Sequence, residues 1–272
     1  MKTDRAWLLG LMLPCAVVFL VFFAIPLTRL LLIGGSGELG WSAYTAAFSE
    51  PRYLRSMVST VLLSVVVTLA TLVISSIAGV FLARHEFTGR QVLTAMLTLP
   101  LAFPGVVIGF MVIMLGGRQG LIPLTTELLI GERLVFAYSM VGLFVGYIYF
   151  SIPRTILTVM AAAEKLDPQL MEAARSLGAT SWTTFRRIYL PQTLPGMGAG
   201  ALLVFILAVG YYITPALVGG ADGQLISNMI QFHMSKSNWS LAAALSGMLL
   251  VGVLLLYWLY DRLVGIDKLK LG

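Results

Sequence analysis

The sequence predicts an all-α integral membrane protein with six transmembrane helices, and three observations carry that prediction. Its 272 residues are 58% hydrophobic and only 11% charged, whereas a soluble domain carries about 25% charged residues. The mean hydropathy is +0.92. Six stretches free of charged residues each reach the length of about 20 residues that a helix needs to cross hydrocarbon. In lipid such stretches must be helical, because a helix satisfies its backbone groups within one segment. Together these features exclude a soluble enzyme, a nucleic-acid-binding domain and a disordered chain.

The first stretch, 6–28, follows Lys2 and Arg5. It is too long for the apolar region of a signal peptide, and no Ala-x-Ala-like site follows it, so a retained helix is expected. Leu13-Pro14-Cys15 does not suit a lipoprotein cleavage site, because proline fills the small-residue position. Cys15 is the single cysteine, which excludes a disulfide within the chain and reads as a small packing residue. The second and third stretches are 56–83 and 91–117, the fourth 134–153, the fifth 196–221 and the sixth 237–260. Three Gly-x-x-x-Gly pairs, Gly105/Gly109, Gly142/Gly146 and Gly196/Gly200, place two glycines on one helix face, where a neighbour can approach closely or where glycine is merely tolerated. Prolines at 14, 26, 100, 104, 153 and 215 bend or interrupt the spans, as in helices that line a cavity.

Six spans put both ends of the chain on one side. With the N-terminus inside, twelve Lys and Arg fall in inner segments and six in outer segments. Both termini are therefore expected in the cytoplasm.

The longest polar segment, 154–195, lies between the fourth and fifth stretches. Asp167 before Pro168 is an N-cap followed by proline at the first helical position. The run to Gly178 favours helix, with glycine as the stop. Leu170, Ala174 and Leu177 make one apolar stripe. Thr180 can cap a second short helix, Ser181 to Leu190, ending before Pro191. Two short amphipathic helices joined at a glycine, flanked by Arg175, Arg186 and Arg187, serve either as a docking knob or as an interfacial segment on anionic lipid.

Here the residues resemble a known family. Glu172-Ala173-Ala174, three residues, Gly178, nine residues, Ile188, one residue and Leu190-Pro191 is similar to the EAA signature of ABC importer permeases. The resemblance implies the type I importer permease fold across essentially the whole chain. It also implies that 154–195 is a cytoplasmic coupling loop seated on a partner ATPase, in a bacterial inner membrane. Carried over, Glu172, Ala173, Ala174 and Gly178 contact the ATPase, with Leu170 and Leu177 beside them. ATP and Mg then belong to a cytoplasmic ATPase dimer, and this chain holds no cofactor. A second related permease subunit and an extracytoplasmic solute-binding protein complete the implied assembly.

Trp41-Ser-Ala-Tyr44 with Phe48 resembles the outer segment before the second span in this superfamily, and the stretch Gly210 to Gly220 and Trp239 opening the sixth span resemble spermidine/putrescine-type permeases. A polyamine or related amine is thus the implied solute. Relatives of that kind also serve opines, amino-acid-like amines, phosphonates and ferric ion. One departure is that Tyr211-Tyr212 stand where polyamine permeases often place an acid, and no span holds Asp or Glu in its body. Aromatic faces can substitute through cation–π contact, worth about 0.5–2 kcal/mol each. Tyr211, Tyr212, Tyr147 and Tyr149 are the candidates, with packing or interface anchoring as the alternative role. Asp222, outside the fifth span, can meet a cationic solute or a binding protein, or stand as a solvated loop charge. No Gly-Lys pair occurs, hence no phosphate-binding loop, and His85 and His233 join no catalytic or metal-binding motif. An ion-coupled secondary transporter is the competing class, but it would want an ionisable site near the midplane.

Overall fold

The computed structural model describes residues 2–37, 39–220 and 224–264, and every regular element among them is helical. α1 (Lys2–Phe19) passes through one wide π-type turn, Leu20–Ala24, into α2 (Ile25–Gly34). The short α3 (Ser42–Ser49) leads to the long α4 (Pro51–Arg84). α5 (Arg90–Thr98) and a tight 3₁₀ turn, Leu99–Ala102, precede α6 (Gly105–Gly116), α7 (Leu121–Ile130) and α8 (Met140–Glu164). Two small helices, α9 (Pro168–Ser176) and α10 (Ser181–Thr184), stand before a second π-type turn, Phe185–Tyr189, and α11 (Leu190–Gly210). α12 (Ile213–Val218), α13 (Ile226–Ser235) and α14 (Trp239–Val264) follow. Among the described residues, six helical segments are long and apolar enough to cross a membrane: Gly10–Gly34, Pro51–Arg84, Gly105–Ile130, Met140–Glu164, Ser181–Gly210 and Trp239–Arg262.

The first runs past the expected 6–28 to Gly34 and the second begins before the expected 56–83, at Pro51; the third, fourth and fifth depart from their expected stretches further. The third stretch, 91–117, is not one helix. Pro100 and Pro104 each remove a backbone donor, and the chain tightens to 3₁₀ and then extends at Phe103. The apolar run that follows begins at Gly105 and includes α7. The fourth, expected at 134–153, starts later because Ser139 caps it, accepting from the Gly142 amide at 3.3 Å. It also continues past Pro153 and Arg154 to Glu164, since one charge does not stop a helix. The fifth extends backward. Pro191 was expected to end a short helix, yet the chain is helical from Ser181 to Gly210. The wide turn Phe185–Tyr189 directly precedes Leu190-Pro191. It gives the backbone one extra residue where the proline ring and its missing N–H would otherwise strain the ladder. At its far end the fifth stretch breaks, because Tyr211 is extended (ψ 131°) and separates α11 from α12.

The chain forms two compact units. The first comprises Met1–Met57 and Met229–Gly252. There the Tyr44 hydroxyl donates to the Leu31 carbonyl at 2.6 Å, and Ser240 Oγ donates to the Gly34 carbonyl at 2.9 Å, which ties α3 and the start of α14 to α2. The second comprises Val58–Asn228 and Val253–Gly272, and its core gathers Val67, Leu143, Val204, Val218 and Leu225. In lipid, apolar side chains gain little by moving from one apolar medium to another, so close packing decides. The glycine pairs supply it. A Cβ added at Gly109 would meet Leu217 at 2.7 Å, at Gly142 the Phe136 carbonyl at 2.6 Å, and at Gly146 Thr214 at 3.3 Å. Gly196 lies against Ala162, and α11 packs along α8. Buried hydroxyls of α4 add specific bonds: Thr60 Oγ1 accepts from the Ile226 amide at 2.9 Å, and Ser75 Oγ donates to the Ile152 carbonyl at 3.3 Å.

Candidate functional site

The loop between α8 and α11 is built by two caps and a glycine. Asp167 Oδ1 accepts from the Gln169 amide at 2.9 Å and so starts α9. Gly178, at φ +82°, ends it. The Ala179 amide then returns to the Ala174 carbonyl at 3.0 Å, the six-to-one bond of a Schellman stop. Thr180 Oγ1 accepts from the Thr183 amide at 3.2 Å and starts α10. All three features were read from the sequence at these positions.

Burial divides the loop into two faces. Ala163, Leu166 and Tyr189 form a small cluster with Met171, Val80 and Ala83, and Ala174 is itself buried. Glu172 and Ala173 are exposed, as are Leu170 and, at 89%, Leu177. The expected stripe of Leu170, Ala174 and Leu177 is therefore split. Ala174 turns toward its own chain, and Leu177 lies just beyond α9, so its side chain leaves the helical face. Trp182, 67% exposed, begins a ladder of stacked rings: Trp182 on Phe185 at 5.8 Å, and Phe185 on Tyr189 at 5.8 Å. Behind the ladder the guanidinium of Arg84, the last residue of α4, lies 5.3 Å from the centre of the Tyr189 ring.

A second constellation gathers at the break in the fifth span. Tyr211 lies 5.7 Å from Tyr147 and meets Phe150 edge to face at 5.0 Å. Its carbonyl, freed where α11 ends, accepts from Ser227 Oγ at 2.7 Å, and a Cβ at Gly105 would stand 3.3 Å from its ring. Among the described residues, the Tyr147 hydroxyl and the Asn228 Oδ1 are buried without a hydrogen-bond partner. Of the four candidate tyrosines the structure thus brings together Tyr147 and Tyr211. Tyr149, on α8, and Tyr212, in the link before α12, are exposed, and Asp222 lies outside the described residues. Two neighbours were missed in the sequence: Phe150, and Arg154, whose guanidinium lies 5.0 Å from the Phe150 ring centre. Tyr147, Phe150 and Arg154 fall at i, i+3 and i+7 on one face. That spacing was legible, but the reading stopped the helix at Pro153.

Six membrane-length helical segments among the described residues, a break at the end of the fifth, and an ordered two-helix loop ahead of that break define a polytopic permease. The chain belongs to the family of binding-protein-dependent transport system inner membrane components, matched over residues 72–265, and is a permease subunit of the type I ABC importers. It is 32% identical over 223 residues to the spermidine/putrescine transport system permease protein PotB of Escherichia coli, covering 79% of this chain and 80% of that one. It is 27% identical over 257 residues to the sulfate transport system permease protein CysT of the same organism, covering 93% and 89%. Its fold is similar to that in the crystal structure of a bacterial ABC transporter involved in import of the acidic polysaccharide alginate, with a TM-score of 0.81, 18% identity and coverage of 97% and 96%. It is also similar to the MetNI methionine ABC transporter in an inward-facing form, with a TM-score of 0.57, 21% identity and coverage of 80% and 98%.

Proposed function

We propose that this chain forms half of the translocation path of an ATP-driven importer and takes up the motion of an ATPase through the α9–α10 loop. The open face of that loop carries the reading. Leu177 and Trp182 are large, apolar and exposed on a segment whose caps hold it in order, and a protein partner is what covers such a face. Glu172, Ala173, Gly178, Leu170 and Leu177 lie at the ATPase contact, while Ala174 seats α9 on its own chain from behind. ATP and Mg are bound by the ATPase dimer, a second related permease subunit supplies the other half of the path, and an extracytoplasmic binding protein delivers the solute. The partner set is supported by family membership and by the alginate transporter, described with its periplasmic protein. The bias of basic residues puts both termini and the loop in the cytoplasm. The chain makes and breaks no bonds; closure of the ATPases draws the loops together, and the permeases rock from inward-facing to outward-facing.

The solute is small and polar. The PotB relatives support a polyamine or related amine, for which the faces of Tyr147 and Tyr211 offer cation–π contact. The CysT relatives support an oxyanion. The test purifies the chain with its co-expressed partners in nanodiscs and measures ATP hydrolysis with the binding protein and a panel of amines, phosphonates, sulfate and ferric ion. Glu172→Ala and Gly178→Ala are expected to lower solute-stimulated hydrolysis by about ten-fold, within the range of coupling energies between distant sites, while the complex still reaches the membrane. Uptake driven by an ion gradient alone, and unchanged in both variants, would make the chain a secondary transporter.

A further inference from the structure

The charge of the solute is left open by the relatives, and α8 bears on it. Arg154 stands near the middle of α8, within a segment long and apolar enough to span. A charged side chain at that depth is disfavoured against acyl chains and instead faces a water-filled cavity or the interior of an assembly. Arg154 is partly exposed, and among the described residues no carboxylate pairs with it. Its cation rests over Phe150. A cation held over a ring in this way makes no hydrogen bond to it, and a guanidinium's N–H groups, a fork matched to paired oxygens, stay available to an acceptor. Phe150 in turn touches Tyr211 at the helix break, and Tyr211 touches Tyr147. The free cation therefore borders the aromatic constellation rather than standing apart from it.

We infer that Arg154 meets the charge of the solute, and that the solute carries an oxyanion: a carboxylate, phosphonate or sulfate group. The inference rests on the translocation reading but on no choice among relatives. A bare polyamine would pass a like charge that, among the described residues, no paired carboxylate offsets, and that is how a site rejects the wrong partner. The rings of Tyr147, Phe150 and Tyr211 still suit an ammonium group. An amine that also bears an acid group satisfies both parts of the constellation, and a simple oxyanion satisfies Arg154 alone.

The first test needs no knowledge of the solute. In a Cys15→Ser background, Tyr211→Cys in membranes holding the whole importer is modified by a sulfonate-bearing and by a trimethylammonium-bearing methanethiosulfonate, with labelling read on this chain. Both reagents are expected to reach the thiol. Arg154→Gln should lower the sulfonate-to-ammonium rate ratio by about ten-fold, the size expected of a charge a few ångströms away at intermediate dielectric, and Arg154→Lys should preserve it. Phe150→Cys takes the place of Tyr211→Cys if that variant does not assemble. A thiol that neither reagent reaches, or a ratio indifferent to Arg154→Gln, overturns the inference.

The second test compares ATP hydrolysis with sulfate, 2-aminoethylphosphonate and putrescine. Stimulation by either oxyanion that is lost in Arg154→Gln and restored in Arg154→Lys supports the assignment. Stimulation by putrescine that Arg154→Gln leaves intact overturns it while the importer stands. If no ATPase co-purifies, the importer reading fails, and the labelling ratio still decides what Arg154 does.

Discussion

Tyr53 and His233 form a close pair in the first unit, hydroxyl to Nε2 at 3.0 Å, with Tyr53 buried. Burial, and after it the Arg52 cation, hold the imidazole below its ordinary pKa of 6.5, so His233 is neutral at pH 7. A base whose pKa is lower in the folded chain has its full stabilising effect above the ordinary value, and loses it as pH falls below that value. The melting temperature of the purified complex is therefore expected to hold between about pH 8 and 7 and to fall as pH drops below about 6.5. His233→Gln should flatten that decline; an equal decline in the variant would place the acid sensitivity elsewhere. Gly178 illustrates a different residue-scale cost. A Cβ there meets nothing within 4 Å, so the penalty of Gly178→Ala comes only from the left-handed backbone, about 1–2 kcal/mol. That penalty falls on the turn of the loop, which is why a small substitution is expected to read out in the proposed coupling.

Elements were legible wherever a local rule was sufficient to define them. Asp167, Gly178 and Thr180 announce the loop because a cap or a stop needs only its own few residues. The break at Tyr211 was not legible: no proline stands nearer than Pro215, and the extended residue is supported from α13 by Ser227, a contact remote in sequence. The continuation through Pro191 was missed for the opposite reason, since a strong local signal is overridden by the wide turn before it. The glycine pairs left two readings open, and geometry chooses close packing. Gly109→Leu is accordingly expected to destabilise the second unit by about 1–3 kcal/mol through overpacking against Leu217, seen as a lower melting temperature and loss of monodisperse protein in detergent. Gly210→Ala, where an added Cβ meets nothing within 4 Å, should leave both unchanged. Equal losses in the two variants would assign the effect to helix propensity rather than contact.

At the scale of the molecule, the class follows from composition, because a chain with so little charge has no way to cover a water-facing surface, and the span number follows from the six charge-free stretches. The proposed path is less legible. Its aromatic members come from α8 and from the end of α11, and only folding brings them together, so Tyr147 and Tyr211 were chosen alongside two tyrosines that stay exposed. Moving Arg154 from the loop into α8 removes one of the twelve inner basic residues, and the inner excess survives. The orientation can be read at Gly89 and Gly131, two left-handed turn positions where an added Cβ is unobstructed. A reporter active only in the cytoplasm should work when inserted at Gly89, and one active only after export should work at Gly131. The reverse pattern would invert the membrane orientation and remove the loop from any cytoplasmic ATPase.

The unbroken run from Ser181 to Gly210 also sets an angular registry. Each helical residue advances by roughly 100°, so one residue added at the wide turn would swing α10 around the axis of the fifth span by about that angle, while about seven would return it close to its starting direction. The run behaves as a screw of set length. On the proposed reading, its residue count aims the loop at the ATPase as firmly as the Glu172, Ala173 and Gly178 that the loop exposes.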